Sequence, residues 1–438
     1  MEKTNKTQRI ILSISLLVSN RKEQVRRTLE SLEHLRNEIE SELIVVDTVG
    51  KENSDGSLTI AKEYADKVIH FSWCNDFSAA RNAGLSVASG EWFLYLDDDE
   101  WFEDTTELIQ FFKSGEYKKY DRGWYVQRNY TSKNGTGYED AYVDRMCCRM
   151  PDTRFCGKIH EYILPLGERI KKFSAYVHHY GYIFETQEEK EKHSERNISL
   201  LEQTLKENPE DFRMAGQLVQ EYAVMKRWEE AANLCKSMVS GERADNLDMF
   251  AQYLLVMRFR IEIYQENWAM AEEIYLEYQE KGMLNKLPNF VCLIEMIQIK
   301  EHQEQYETVL RYVKSFFEQR KSFIEAKNYY TEQAVFDFLD YLSDKKERDV
   351  IDAGIHAIAK TGNCEMAKEL LDRVDWLNEE ELAYGPMCWL VELYEKVRKE
   401  ELFYPYAEMV MQNKKLKGKF AILLKNMLQK IQNERTSP

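Results

Sequence analysis

Three consecutive aspartates, Asp97, Asp98 and Asp99, follow directly on an apolar run at residues 92–96. A short uninterrupted apolar run predicts a buried strand. Carboxylates crowded at a strand end repel one another unless a cation lies between them. Because Asp97 and Asp99 are two residues apart, they point the same way and suit a Mg²⁺ or Mn²⁺ ion that also binds a phosphate ligand. The alternative is an acidic loop that water solvates.

Polar residues also follow other predicted strands of the N-terminal part. Asn20 follows the first strand and Asp47 the second. A carboxylate at the position of Asp47 can accept hydrogen bonds from a ribose or a nucleobase, and a turn or helix-capping role is the alternative. Asp76 and Arg81 flank the start of a predicted helix, where Asp76 is suited to be the N-cap. The Arg81 guanidinium is suited to a diphosphate or a neighbouring aspartate, and a buried ion pair is its structural alternative.

Two further segments carry side chains that suit catalysis or metal binding. His160 and Glu161 end the segment 155–161, and either can act as a general base toward an acceptor that loses a proton. His178 and His179 belong to the segment 177–182, where a histidine can complete the metal site. The alternatives are a surface turn for the first segment and a hydrogen-bonded structural histidine for the second.

Strand and helix signals alternate over the first hundred residues. The predicted strands cover residues 12–18, 43–46, 67–71 and 92–96, and the predicted helices 23–35, 57–65 and 77–87. This rhythm predicts an α/β domain with a mostly parallel sheet, whose ligands bind at the carboxyl ends of the strands. Residues 123–130 and 141–146 predict a β-hairpin, and residues 176–183 a last short strand.

The remainder of the chain, after about residue 185, carries helix signals only, beginning with a charged helix at residues 188–207. A degenerate repeat is predicted to begin the second helix of successive helix pairs. Its copies are Trp228-x-x-Ala231, Trp268-x-x-Ala271, Tyr306-x-x-Val309 and Cys364-x-x-Ala367. The spacing of the first two predicts stacked helical hairpins of tetratricopeptide (TPR) type, and a generic helical solenoid is the alternative.

Composition narrows the range of partners and of cellular settings. The 438 residues carry a formal net charge of −16, whereas proteins that bind nucleic acid or anionic membranes usually have basic surfaces. The apolar run at residues 10–18 is too short to span a membrane and lacks a signal-peptide cleavage site. We therefore expect a cytoplasmic protein with no membrane span and no nucleic-acid partner.

The eight cysteines are expected to be reduced thiols in that setting. A zinc site built from Cys147, Cys148, Cys156 and His160 is conceivable. The spacing of these residues, however, matches no paired C-x-x-C arrangement.

Four motifs resemble, in the same order, those of family 2 glycosyltransferases that have a GT-A fold and a helical tail. They are Asn75-Asp76-Phe77-Ser78-x-x-Arg81-Asn82, Asp97-Asp98-Asp99, Gly157-Lys158-Ile159-His160-Glu161 and His179-Tyr180-Gly181-Tyr182. The resemblance covers nearly the whole chain, although motif-level matches end near residue 182. It implies a GT-A domain at residues 1–185 and a TPR-like helical domain at residues 186–438, used for dimerisation or acceptor binding.

The resemblance also implies roles for individual residues. It implies a UDP-sugar donor, a divalent metal ion at Asp97 and Asp99, and a further metal ligand at His179. It places His160 and Glu161 on the acceptor side, and it implies a homodimer built on the helical tail. The residues predicted to bind the nucleotide are Asn20, Asp47, Asp76, Arg81 and Asp98.

Together these features predict an inverting, metal-dependent glycosyltransferase that uses a UDP-sugar. A base opposite the leaving group suits inversion, and either His160 or Glu161 can supply it. The acceptor is predicted to be a peptide side chain (Cys or Ser/Thr) or a glycan. The alternatives are an inactive scaffold whose repeats bind a partner protein, and a nucleotidyltransferase, which releases pyrophosphate instead of UDP. The acidic and histidine positions of the family pattern weigh against the scaffold.

Overall fold

A computed structural model describes residues 9–50, 55–181, 183–184, 186–239, 248–326, 338–377 and 384–436. The chain divides into two compact units, Met1–Pro209 and Glu210–Pro438. The first unit is an α/β domain and the second is helical, so the predicted fold class is confirmed. The predicted boundary after residue 185 stays a prediction; the division by contacts leaves the helix at 187–207 with the first unit.

The first unit is built on one large mixed sheet. Its strands are β1 (Leu12–Val18), β2 (Ser41–Asp47), β3 (Lys67–His70), β4 (Trp92–Asp97), β5 (Glu100–Phe102), β6 (Arg122–Tyr130), β7 (Tyr138–Cys148), β8 (Arg154–Cys156), β9 (Tyr162–Leu164) and β10 (Ile170–His179). Its helices are α1 (Lys22–Glu38), α2 (Ser57–Tyr64), α3 (Phe77–Ser86), α4 (Thr106–Lys113) and α5 (Gln187–Glu207). The strand order in the described residues is β3-β2-β1-β4-β7-β6-β10-β5, and β8 and β9 form a separate hairpin.

The first half of the sheet is parallel, as predicted, because each of β2 to β4 is reached through a helical crossover. The strands β1 and β4 read as continuous apolar runs because both of their faces are covered. Side chains of α1 and α4 pack on one face, around residues such as Leu29 and Phe111. The helix α3 and the β8–β9 hairpin contribute to the clusters on the other face, which include Ala80 and Phe155.

The second half of the sheet differs in detail from the prediction. The strand β7 runs antiparallel to both β4 and β6, and β10 then pairs in parallel with β6. The predicted strand at 176–183 is wrong at both ends, since β10 begins at Ile170 and ends at His179. Its lysine-rich start pairs with β6 through the backbone, which an apolar pattern does not reveal. Tyr182, within the predicted strand, lies outside the described residues. The strand β5 and the helix α4 were not predicted.

Close packing of α3 on the parallel strands depends on Gly84. A Cβ atom at this position would clash with Ser15 Oγ of β1 and lie 3.0 Å from Val46 Cγ2 of β2. Only glycine allows the helix this approach to the sheet. Because α3 also carries Arg81, this contact fixes the distance between that arginine and the end of β4.

The second unit consists of α6 (Phe212–Val224), α7 (Trp228–Met238), α8 (Met249–Tyr264), α9 (Trp268–Lys281), α10 (Lys286–His302), α11 (Tyr306–Glu325), α12 (Asp344–Thr361), α13 (Ala367–Arg373), α14 (Tyr384–Val397), α15 (Tyr404–Gln412) and α16 (Gly418–Thr436), with 3₁₀ turns at Phe338–Leu342 and Glu400–Leu402. No helix in the described ranges is both long and apolar enough to cross a membrane.

The repeat in the second unit marks helix starts at three of its four copies. The helices α7, α9 and α11 begin at Trp228, Trp268 and Tyr306, as predicted. The small or branched residue three positions later is fully buried in each case, because it meets the preceding helix. The fourth prediction is wrong, since α13 begins at Ala367 and not at Cys364. A turn intervenes there, in which Asn363 Oδ1 accepts a hydrogen bond from the backbone N–H of Glu365.

Glu42 joins the starts of four neighbouring strands at the end of the sheet remote from the aspartates. Its Oε1 atom accepts hydrogen bonds from the Ser13 hydroxyl at 2.6 Å and from the Ser89 backbone N–H at 2.6 Å. Its Oε2 atom lies 2.6 Å from Lys67 Nζ. Burial alone would raise the pKa of Glu42, but the hydrogen bonds from Lys67, Ser13 and Ser89 outweigh it and lower the pKa to about 2.

We expect Glu42→Gln to destabilise the protein by about 2 kcal/mol at pH 7, the usual scale for hydrogen bonds to a charged group. A carboxyl group with a lowered folded pKa stabilises above its ordinary value and loses that contribution as pH falls toward the folded pKa. The difference in melting temperature between wild type and variant should therefore shrink between pH 4.5 and about 2. Glu63→Gln, at an exposed position of α2, is the control. A constant difference across this range would contradict the assignment.

Candidate active site

The three aspartates lie where β4 ends, beside the end of β1, as the strand pattern predicts. Asp97 is the last residue of β4, and Glu100 begins β5. Asp98 and Asp99 form the turn between these strands, and the side chains of both are almost completely buried. Four carboxylates therefore crowd one sheet edge, which requires nearby cations.

Two arginines contact the carboxylate of Asp97. Its Oδ1 atom accepts a hydrogen bond from Arg81 Nη2 at 2.6 Å, and its Oδ2 atom lies 3.2 Å from Arg145 Nη2. Burial opposes ionisation of Asp97, but Arg81 and Arg145 together lower its pKa well below the ordinary value. Arg145 also contacts Glu100 at 2.9 Å. Asp97 is thus held as a carboxylate by cations of the protein itself.

Arg81 joins three parts of the domain through its guanidinium. In addition to Asp97, it donates to the backbone oxygen of Leu96 at 3.0 Å and to Glu161 Oε1 at 3.0 Å. Its side chain is 1% exposed and lies over the ring of Tyr95, 4.9 Å from the centroid. The sequence left a diphosphate contact or a buried ion pair open for Arg81. The structure places it in the ion pair, and its predicted contact with the nucleotide stays a prediction.

Asp98 turns toward the loop that follows β1. Its Oδ2 atom accepts hydrogen bonds from the backbone N–H of Ser19 at 2.5 Å and from the Ser19 hydroxyl at 2.8 Å. Its Oδ1 atom lies 3.2 Å from Arg21 Nη1. Burial raises the pKa of Asp98 to about 6, although Arg21 and the hydrogen bonds from Ser19 act in the opposite direction. This carboxylate fixes the loop between β1 and α1 against the end of β4.

Asp99 and His179 face each other within this cluster, and both are largely buried. Asp99 Oδ2 forms an ion pair with Arg21 and lies 3.9 Å from His179 Nε2. His179 Nδ1 lies 2.6 Å from Asn129 Oδ1, an atom that can only accept, so Nδ1 carries the proton in the neutral ring and Nε2 the lone pair. A Cβ atom at Gly181 would clash with Nε2 and lie 2.9 Å from Asp99 Oδ2.

The donor set at Asp99 fits a divalent cation. Its second carboxylate oxygen, Oδ1, is buried and has no hydrogen-bond partner among the described residues. A carboxylate and a histidine nitrogen are suitable ligands for Mn²⁺, and Mg²⁺ takes one or two carboxylates together with phosphate and water. Within the described ranges, no group of three or more His, Cys, Asp or Glu side chains is arranged to hold a metal ion, whether at the aspartates or at the cysteines considered for zinc.

The segment with His160 and Glu161 is the loop between β8 and β9, and α3 holds it in place. Asn82 of α3 donates to the backbone oxygen of Phe155 at 2.9 Å and accepts from its N–H at 2.8 Å. The backbone N–H of Phe77 donates to the oxygen of Lys158. His160 adopts the left-handed backbone conformation, with φ of 51°. In this loop, Glu161 contacts Arg81, which also contacts Asp97. One guanidinium therefore lies between two predicted site residues.

The other predicted nucleotide-binding residues have local partners. Asp76 is the N-cap of α3 and accepts a hydrogen bond from the backbone N–H of Ala79 at 2.9 Å. This is the capping role that the sequence also suggested for it. Asp47 lies 2.8 Å from His70 Nδ1, and its other oxygen accepts from two backbone N–H groups of the following turn. Asn20 accepts from the N–H of Asp55 at 3.1 Å. Asn20 follows β1 and Asp47 is the last residue of the adjacent strand β2. Their contact with a nucleotide stays a prediction.

Sequence reasoning missed Arg21, Glu100 and Arg145, all of which contact the aspartates. Arg145 is next to a register shift between β6 and β7, so its face of the sheet does not follow from alternation. Glu100 directly follows the aspartates but was not assigned a site role. Arg21 follows Asn20 after β1. A cationic residue after one predicted strand and carboxylates after another predicted strand are a sequence signal that could have indicated this contact.

Comparison with known proteins agrees with this geometry. Residues 13–156, which include β1 to β4 and the aspartates, match the family model described as "Glycosyl transferase family 2". The predicted resemblance to this family is confirmed over that segment. The chain therefore contains a segment, residues 13–156, that matches family 2 glycosyltransferases, and a helical unit follows the α/β domain.

Individual relatives match parts of the chain. A TPR repeat-containing protein of Synechococcus elongatus is 31% identical over 226 residues, covering 48% of this chain and 53% of the relative. The SPbeta prophage-derived glycosyltransferase SunS of Bacillus subtilis is 26% identical over 245 residues, covering 54% of each. The chain thus spans about half the length of these curated relatives. Staphylococcus aureus TarS 1–349, crystallised with UDP-GlcNAc, covers 61% of this chain and 92% of its own at a TM-score of 0.33 and 14% identity.

Proposed function

We propose that the protein is a glycosyltransferase that moves a sugar from a UDP-sugar, in a metal-dependent reaction with inversion, to a peptide side chain or a glycan. The observation that carries this proposal is the linkage of Asp97 and Glu161 through Arg81, beside the pair of Asp99 and His179. It brings a candidate base and a candidate metal site to one sheet edge, next to the aspartates of the segment that matches family 2 glycosyltransferases.

On the donor side, Asp99 and His179 would hold the metal ion, which would neutralise charge on the departing nucleotide diphosphate. Asp97 acts differently, since its oxygens are engaged by Arg81 and Arg145. We infer that it positions these arginines and the turn that follows it, and a metal ion that also binds Asp97 would share its oxygens with them. Asp47 and Asn20 are the candidates for contacts with the ribose and the base.

On the acceptor side, Glu161 is the leading candidate for general base. Its Oε1 atom is engaged by Arg81, which leaves Oε2 to take the proton of the acceptor. The side chain is 11% exposed and therefore largely shielded from water. His160, next in sequence, is the alternative base. A nucleotidyltransferase would use a similar metal site but would release pyrophosphate.

Self-association through the helical unit is part of this proposal. Its last helix, α16, exposes Ile422, Leu423 and Met427, which are 60%, 64% and 44% exposed. Exposed apolar patches of this kind are typical of interaction sites.

We expect a dimer of the intact chain in sedimentation equilibrium, and a shift toward monomer in the double variant Ile422→Asp, Leu423→Asp. Val224→Asp, at an exposed site on α6, is the control. A monomeric wild type at micromolar concentration would contradict this.

We expect UDP with Mn²⁺ to raise the melting temperature of the intact chain, because a ligand at a hundred times its Kd adds roughly 2.7 kcal/mol of stability. Asp99→Asn should fold normally and lose both the Mn²⁺-dependent part of this shift and Mn²⁺-dependent hydrolysis of UDP-sugars. Asp152→Asn, at an exposed turn, is the control. An equal shift in Asp99→Asn would reject the metal site, and release of pyrophosphate in place of UDP would indicate a nucleotidyltransferase.

We expect Glu161→Gln to lower the transfer rate by about 10² to 10⁴, the usual contribution of a general base, with UDP affinity little changed. Glutamine keeps an oxygen that can accept from Arg81, so the ion-pair geometry survives better than in Glu161→Ala. His160→Ala is the comparison that separates the two candidates. If the acceptor is a thiol, the defect should shrink as pH rises, because the thiolate fraction grows. An unchanged rate at every pH would remove Glu161 from the mechanism.

A further inference from the structure

Among the described residues, three arginines contact the aspartate cluster, and one of them has a substantially exposed side chain. The side chains of Arg81 and Arg145 are 1% and 17% exposed and lie between strands and α3. The Arg21 side chain is 42% exposed. One of its nitrogens, Nη1, contacts Asp98 Oδ1 at 3.2 Å and also Asp99 Oδ2. Arg21 is thus the cation that can leave the cluster without disturbing the core.

The backbone of Arg21 is fixed even though its side chain is exposed. Its N–H donates to Ser57 Oγ at 3.0 Å, and its C=O accepts from the N–H of Val25 at 2.9 Å, at the start of α1. A change of rotamer alone would therefore move the guanidinium. Asp98 would keep its two hydrogen bonds from Ser19 if Arg21 moved away.

Arg21 and a metal ion would compete for the same carboxylate. Asp99 Oδ2, which Arg21 contacts, also faces His179 Nε2 at 3.9 Å. Two cations on one carboxylate repel each other strongly in a partly buried site. A metal ion that uses Asp99 and His179 therefore weakens the hold of Asp99 on Arg21.

Arg21 also acts electrostatically on the His193 ring of α5. Burial lowers the pKa of His193, on α5, and the nearby Arg196, Arg21 and His160 lower it further, to about 4. Burial is the larger of these causes, and the neighbouring charges add to it. A diphosphate next to a metal ion at Asp99 would lie near the exposed Arg21 guanidinium, and guanidinium groups bind phosphate oxygens well.

We propose that Arg21 is an exchangeable counter-cation of Asp99: it neutralises the carboxylate in the empty site and turns to the donor diphosphate when a metal ion binds. This inference rests on the proposed function. It assigns Arg21 a positioning role toward the metal ion and a direct role toward the nucleotide. Loss of Arg21 should strengthen the binding of the metal ion and weaken the binding of the nucleotide, so the two roles can be measured separately.

The test compares wild type, Arg21→Gln and Arg21→Lys by calorimetric titration of the intact chain with Mn²⁺ alone, and then with UDP at saturating Mn²⁺. We expect Arg21→Gln to bind Mn²⁺ about tenfold more tightly, because a competing charged contact is removed, and to bind UDP about tenfold more weakly. Arg21→Lys, which keeps the charge, should lie between the two. The control is Arg27→Gln, an exposed position on α1 that contacts the Trp101 ring.

Unchanged or weaker Mn²⁺ binding by Arg21→Gln, at a melting temperature equal to that of wild type, would overturn the exchange. Unchanged UDP binding would overturn the role toward the diphosphate. If the glutamine variant unfolds, a lysine variant that matches the wild type in both titrations would equally overturn the proposal. A wild type that binds neither Mn²⁺ nor UDP would instead reject the proposed function itself.

Discussion

The buried guanidinium of Arg81 is the interaction on which the site depends. It lies between the end of β4 and the loop before β9, where one guanidinium forms ion pairs with both Asp97 and Glu161. Removing it would leave two acidic groups facing each other with Arg145 as the nearest compensating charge on Asp97. The requirement for this cation explains why α3 must approach the sheet as closely as Gly84 allows.

Much of the first domain could be predicted because its signals are local. Each parallel strand is a continuous apolar run, each following helix has a polar face, and the carboxyl ends of such strands share one edge. That rule predicts Asn20, Asp47 and Asp97 at the carboxyl ends of strands, and the structure makes those three strands neighbours. The starts of α7, α9 and α11 were predictable for a similar reason, since an aromatic residue and a buried residue three positions later recur at each.

The arrangement of charges within the site could not be read in the same way. Whether Arg145 meets Asp97 depends on a register shift between β6 and β7, and the reach of Arg21 depends on a loop after β1. Both are tertiary facts, fixed by pairings between residues dozens of positions apart. The sequence also left two roles open for Arg81, because a buried ion pair and a phosphate contact use the same chemistry.

The two hydrogen bonds between Asn82 and the backbone of Phe155 have a consequence for how such domains can diversify. This amide holds both backbone groups of one hairpin residue, much as a neighbouring strand would. The loop with Glu161 is therefore located from the side of α3. Insertions at residues 165–169 can lengthen or reshape that connection during evolution while the carboxylate keeps its position. New surfaces can arise there without rebuilding the catalytic edge.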